Sequence, residues 1–155
     1  MIKKYFFSTI LAILLTNCGF TVIKQNKINF NIVEILTEGN TRVNYYIKNK
    51  LLVSSQNKQK KQIKIKLNSV KNKTIREKNI KNEVTKYNIK LLINVRVDVV
   101  GTNKSTNFIL TENGNYNVAS MHSNTLSNEK DLTKTLTNNV TEKLIEELSS
   151  KINDL

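Results

Sequence analysis

From Ile63 to Leu67 apolar and polar residues alternate without a break, Ile63, Ile65 and Leu67 against Lys64 and Lys66. A period of two sends the two sets to opposite faces of a strand, so the segment predicts a half-buried strand with one wet side. The same period runs longest from Tyr87 to Val99. Tyr87, Ile89, Leu91, Ile93, Val95, Val97 and Val99 share one face, while Lys90, Asn94, Arg96 and Asp98 share the other. Gly101-Thr102-Asn103-Lys104 then breaks the run as a turn. Phe108, Leu110, Gly114, Tyr116 and Val118 form the even-numbered face of a returning strand, with Asn113-Gly114 a candidate bulge. Long strands joined by a short turn pair antiparallel. Nearer the start, Ile28-Asn29-Phe30-Asn31-Ile32 also alternates, and Val33, Ile35 and Leu36 extend it.

Between these runs the period changes. Gly39-Asn40 breaks the first strand, and Asn40 or Thr41 is placed to cap a helix. Over Arg42 to Val53 the positions Val43, Tyr46, Ile47, Lys50 (by its stem) and Leu51 return at three- and four-residue spacing, one face of an amphipathic helix. A second helix is expected near the C-terminus, with Ser127 as its cap and Glu129 and Asp131 at the positive end of its dipole. Its stripe of Leu132, Leu136, Val140, Leu144, Leu148 and Ile152, broadened by Ile145, is simplest as core. Ser54 to Lys61 reads as a polar connection, and the charged segment Lys71 to Glu83 as a long turn or mobile loop. The order is β-α-β-β-β-α. It predicts a single α+β domain, a four-stranded, mainly antiparallel sheet packed against two helices.

The first twenty residues follow a different pattern. Lys3 and Lys4 precede an apolar run from Tyr5 to Leu15, and a short polar passage ends on Cys18, the only cysteine. A positive start, an apolar core of roughly 7–15 residues and a short cleavage region make a secretory signal. A spanning helix needs roughly 20 apolar residues, and Thr16 to Gly19 interrupt this one early. Leu15-Thr16-Asn17-Cys18 looks like a bacterial lipobox, whose cysteine is lipidated on sulfur and becomes the first mature residue. Asn17 departs from the small residue usual there. An uncleaved N-terminal anchor and a buried helix with an incidental thiol are the other readings. The expected division is residues 1–17 as lipoprotein signal, 18–27 as lipidated tether and 28–155 as the folded domain.

The formal net charge of +13 falls to about +11 without Lys3 and Lys4. Such a balance favours anionic partners. Export argues against nucleic acid, and abundant Lys, Asn and Ile with neither Pro nor Trp resembles the output of an AT-rich genome. One cysteine excludes a disulfide within the chain. His122, the only histidine, falls in what reads as a strand end or loop and has no cysteine or carboxylate at ligand spacing. Gly-rich phosphate loops, nucleophile elbows and suitably spaced carboxylate pairs do not occur. The expectation is no enzyme, no metal and no cofactor.

With this order of elements, the chain resembles the LPS-assembly lipoproteins of the LptE family. The likeness rests on Cys18-Gly19-Phe20 opening the mature chain, Tyr87-Asn88-Ile89-Lys90-Leu91 as a Tyr-led strand, the Gly101 turn, the Tyr116 strand and the long C-terminal helix. The proline common soon after Cys-Gly-Phe in that family is absent. The resemblance implies an outer-membrane lipoprotein on the periplasmic side that plugs the LptD translocon barrel, assists its assembly and helps deliver lipopolysaccharide to the cell surface. It also implies lipopolysaccharide binding through basic side chains. The candidates from the residues themselves are Lys64, Lys66, Lys90 and Arg96, on the wet side of their strands, with Lys104 at the turn. A row of ammonium groups suits lipid A phosphates; solvated lysines are the plainer reading. The competing functions are an auxiliary or lipid-binding lipoprotein of an ABC-type lipid transporter, and a structural envelope lipoprotein.

Overall fold

The computed structural model describes residues 30–55 and 61–154. The signal, Cys18 and the tether lie outside the described residues, as does Ile28-Asn29. The elements are β1 (Phe30–Gly39), α1 (Thr41–Ser54), β2 (Lys61–Lys78), β3 (Val84–Val99), β4 (Ser105–Asn117) and α2 (His122–Asp154). They form one four-stranded sheet in the order β1-β2-β3-β4. A helix separates β1 from β2, and the crossover makes that pair parallel. The two tight connections make β2–β3 and β3–β4 antiparallel. The expected α+β architecture is therefore observed, with a mixed sheet.

One face of the sheet carries the core. Ile63, Ile65 and Leu67 of β2 and Ile89, Leu91, Ile93, Val95, Val97 and Val99 of β3 are buried. On β1 the inward set switches from even to odd, Phe30 and Ile32 and then Ile35, because a bulge falls between Ile32 and Glu34. Both helices cover this face, α1 over β1 and β2, α2 over β4 and β3, and they touch each other. The predicted α2 stripe is buried from Leu136 to Ile152, with Leu132 packed against its edge. A second stripe at the same spacing, Thr133, Thr137 and Thr141, is also buried. Each threonine hydroxyl donates to the carbonyl four residues earlier, which satisfies it inside the helix.

Five local expectations are corrected. Lys71 to Lys78 is not a loop, because β2 runs on to Lys78 paired with β3. No bulge occurs at Asn113-Gly114, where the β3–β4 register is unbroken. Gly114 serves close packing instead: a Cβ there would lie 2.8 Å from Leu132 Cδ1. α2 begins at His122, five residues before Ser127, so Glu129 and Asp131 lie beyond its first turn. His122 is thus helical and not in a strand end or loop. On α1 the buried set is Val43, Asn44, Ile47 and Leu51, while Tyr46 is 45% exposed. Asn44 is accepted inside because its Nδ2 donates to Glu38 O at 2.8 Å, tying α1 to the end of β1. Asn40 is the cap, its Oδ1 accepting from Val43 N at 3.1 Å.

Candidate functional site

No element covers the opposite face of the sheet among the described residues, and alternation puts the predicted basic side chains there. Lys66 stands across from Arg96 on β3 and Leu36 on β1, and Arg96 stands across from Asn107 on β4. Lys64 lies between Glu34 and Asp98 in the next row. Lys90 is six residues from Arg96 along β3, roughly 20 Å away at about 3.3 Å per residue. Lys104 sits in the β3–β4 turn, where Val99 N donates to its carbonyl at 3.0 Å. The sheet thus brings Lys64, Lys66 and Arg96 together and leaves Lys90 and Lys104 apart.

The face is less cationic than the sequence suggests. Lys64 pairs with Glu34 at 2.9 Å, Lys66 with Glu38 at 2.8 Å and Arg96 with Asp98 at 3.1 Å. The β1 bulge creates two of these pairs. Without its one-residue shift Glu34 and Glu38 would share the side of Phe30 and Ile32; with it they stand beside the lysines. Lys90 makes no ion pair among the described residues. Across the middle of this face runs an open groove of about 780 Å³, lined by Glu38, Lys66, Asn68, Asn94, Arg96 and Ile109 among others. Carboxamides, one exposed aliphatic side chain and internally balanced charges suit contact with a polar, uncharged or weakly anionic surface.

A second cluster lies on the covered face, and the sequence reading missed it. Glu129 of α2 accepts from Lys71 Nζ at 2.8 Å, from Lys73 Nζ at 2.7 Å and from Tyr116 Oη at 2.9 Å. The Lys73 ammonium rests 4.3 Å from the centre of the Tyr87 ring, which stacks on Tyr116 at 5.6 Å. Its only signal in the sequence is parity: Lys71 and Lys73 continue the odd-numbered inward set of Ile63, Ile65, Leu67 and Ser69.

The hydrogen bonds from Lys71 and Lys73 hold the Glu129 carboxyl down at about 2, against burial, which opposes ionisation. The Lys73 ammonium is held above its usual range, chiefly by Glu129. A carboxylate with a depressed folded-state pKa stabilises fully above its unfolded value and ceases to as pH falls through the folded value. The stability gap between wild type and Glu129→Gln is therefore expected to be widest above about pH 4.5 and to close towards pH 2. Urea titrations of both proteins across that range measure it, and a gap independent of pH would overturn the assignment.

No described helix is long and apolar enough to cross a membrane. No family model and no curated protein matches the sequence. Solved structures do share the fold. Rare lipoprotein B from Shewanella oneidensis is similar at a TM-score of 0.55 and 11% identity, over 77% of this chain and 97% of that one. A lipoprotein from Caulobacter crescentus gives 0.54 and 14%, over 81% and 91%. Lipoprotein B from Nitrosomonas europaea gives 0.54 and 10%, over 81% and 86%.

Proposed function

We propose that this chain is an envelope lipoprotein, anchored through Cys18 on the periplasmic side of the outer membrane. Its domain seats in the lumen of an LptD-type barrel and assists lipopolysaccharide transport. The shared fold of three solved lipoproteins and the lipobox-like Leu15-Thr16-Asn17-Cys18 support the first half. The open sheet face carries the second. A sheet surface without helix cover among the described residues, largely polar with Leu36, Val70 and Ile109 interspersed and charge-balanced by Lys64–Glu34 and Lys66–Glu38, fits against the polar inner wall of a large outer-membrane barrel.

The test places a photo-crosslinking residue at Asn94, on the open face, or at Glu146, on the outer surface of α2, in the full-length protein before detergent extraction. Asn94 is expected to capture a large barrel protein. Capture of an inner-membrane transporter subunit instead would favour the auxiliary role, and capture of nothing a structural one. Lipopolysaccharide affinity is read on the same protein. Replacing Lys64, Lys66, Lys90 and Arg96 together with Ser is expected to weaken it and flatten its salt dependence, while barrel capture persists. All four change at once because an exposed ion pair contributes under about 1 kcal/mol. Unchanged affinity would remove this face as the phosphate site and leave Lys104 to be tried.

A further inference from the structure

The β2–β3 connection ends in a tip with a distinct chemistry of its own. Five residues, Asn79 to Glu83, close the hairpin. Asn79 organises them: its Oδ1 accepts from Lys81 N at 2.9 Å and Glu83 N at 3.0 Å, and its Nδ2 donates to Glu83 Oε2 at 2.7 Å. Asn79 N donates to Glu83 O and Asn82 N to Asn79 O, both at 2.9 Å. Asn82 takes the left-handed conformation, at φ 64, that asparagine tolerates. Lys78 Nζ closes the outside on Asn82 Oδ1 at 2.8 Å.

All the turn chemistry is thus supplied by polar residues, and Ile80 contributes none of it. Its side chain is fully exposed. Isoleucine is a poor turn residue beside Gly, Asn, Asp or Ser. A lone exposed aliphatic side chain needs no explanation on an ordinary surface. This one crowns a rigid turn at the extremity of the fold, where local preference disfavours it. Around and below it stand Arg76, Lys78 and Lys81, with Ile75 54% exposed on the strand beneath. Of the nearby carboxylates, Glu77 is engaged by Lys86 at 2.8 Å and Glu83 by Asn79.

We propose that this tip docks into an anionic phospholipid bilayer, with Ile80 entering the headgroup–acyl boundary and Arg76, Lys78 and Lys81 meeting phosphates. The size of the tip favours a bilayer over a protein partner. A stable protein interface buries more than about 1,000 Å² in total, which five residues at the end of a two-stranded ribbon do not offer. A bilayer needs only an aliphatic point and a cationic collar. The tip lies far from Phe30, the first described residue. Phe30, where β1 begins, pairs with Lys61, the first residue of β2. The 18 residues of β2 then put the tip roughly 55–60 Å away, at the opposite end of the sheet.

The chain contains no tryptophan, so Ile80→Trp gives a single reporter. The full-length variant, carried in nonionic detergent below its critical concentration, is mixed with vesicles of phosphatidylglycerol or phosphatidylcholine, with and without brominated acyl chains. A blue-shifted emission quenched by bromine is expected in phosphatidylglycerol. It should be reversed by high salt and by adding Arg76→Ser, Lys78→Ser and Lys81→Ser, and be unaffected by Cys18→Ser. Water-exposed emission in both vesicles would overturn the proposal. So would equal quenching in both lipids, or a signal that vanishes with Cys18→Ser. None of these readings depends on a barrel, so this proposal can fail while the proposed function stands, and the converse.

Discussion

Replacing Gly39 with alanine is expected to cost the domain on the order of 3 kcal/mol, the sum of a left-handed backbone penalty of about 1–2 kcal/mol and a crowding penalty of about 1–3 kcal/mol. Gly39 sits at φ +90, in the left-handed region that L side chains rarely adopt. A Cβ added there would lie 2.0 Å from Ser69 O. That oxygen cannot retreat cheaply, since Gly39 and Ser69 are the last register pair of β1 with β2 and Asn40 N donates to the same oxygen at 2.9 Å. The strain also reaches Asn40, the residue that caps α1. Gly114→Ala is the internal control. Its new Cβ meets a terminal methyl of Leu132 at 2.8 Å, and a side-chain end can rotate aside. The expected cost is under about 1 kcal/mol, the low end of overpacking. Urea midpoints at constant slope separate the two, and similar losses at both glycines would show that the β1–α1 junction is more pliable than its contacts imply.

The second large effect belongs to the centre of the sheet. Leu91→Ala is expected to cost about 2–5 kcal/mol, the range for a large buried aliphatic side chain whose cavity cannot fully collapse. Leu91 is wholly buried, in the middle strand pair and under the helices. A domain of this size holds about 5–15 kcal/mol in total, so the loss should move the urea midpoint by a large fraction of its value. Lys66→Ala, on the open face, gives up one exposed ion pair with Glu38 and is expected to change stability by about 0.5 kcal/mol or less. Equal losses at Leu91 and Lys66 would mean that the two faces of β3 and β2 have been interchanged.

Both pairs of variants probe faces that the sequence already separates. The alternation through β2 and β3 assigns Ile65, Leu91, Ile93 and Val95 to the helices, and these residues are buried. The same alternation puts Lys64, Lys66, Lys90 and Arg96 outside, where the structure has them. What it does not contain is the partners of Lys64 and Lys66. Glu34 and Glu38 reach Lys64 and Lys66 only through a bulge, and the bulge leaves no mark in a sequence where Val33, Glu34 and Ile35 follow Ile32 without a turn residue.

Periodicity is a local property, and it determined the type of every element, the inward face of β2, β3 and α2, and the order β-α-β-β-β-α. The short turn at Gly101 determined that β3 and β4 are antiparallel, whereas the tight β2–β3 hairpin, hidden in a segment that reads as a long loop, emerged only in the structure. The tertiary structure alone decided where β2 stops, where α2 starts and how charged the open face is. Lys71 and Lys73 look like loop residues because a lysine on the covered face is costly without a partner. Their partner Glu129 lies 58 and 56 residues further along the chain and reaches them only once α2 lies across the sheet. A charge is read from one residue, whereas its neutralisation depends on a second residue that only folding brings within 3 Å.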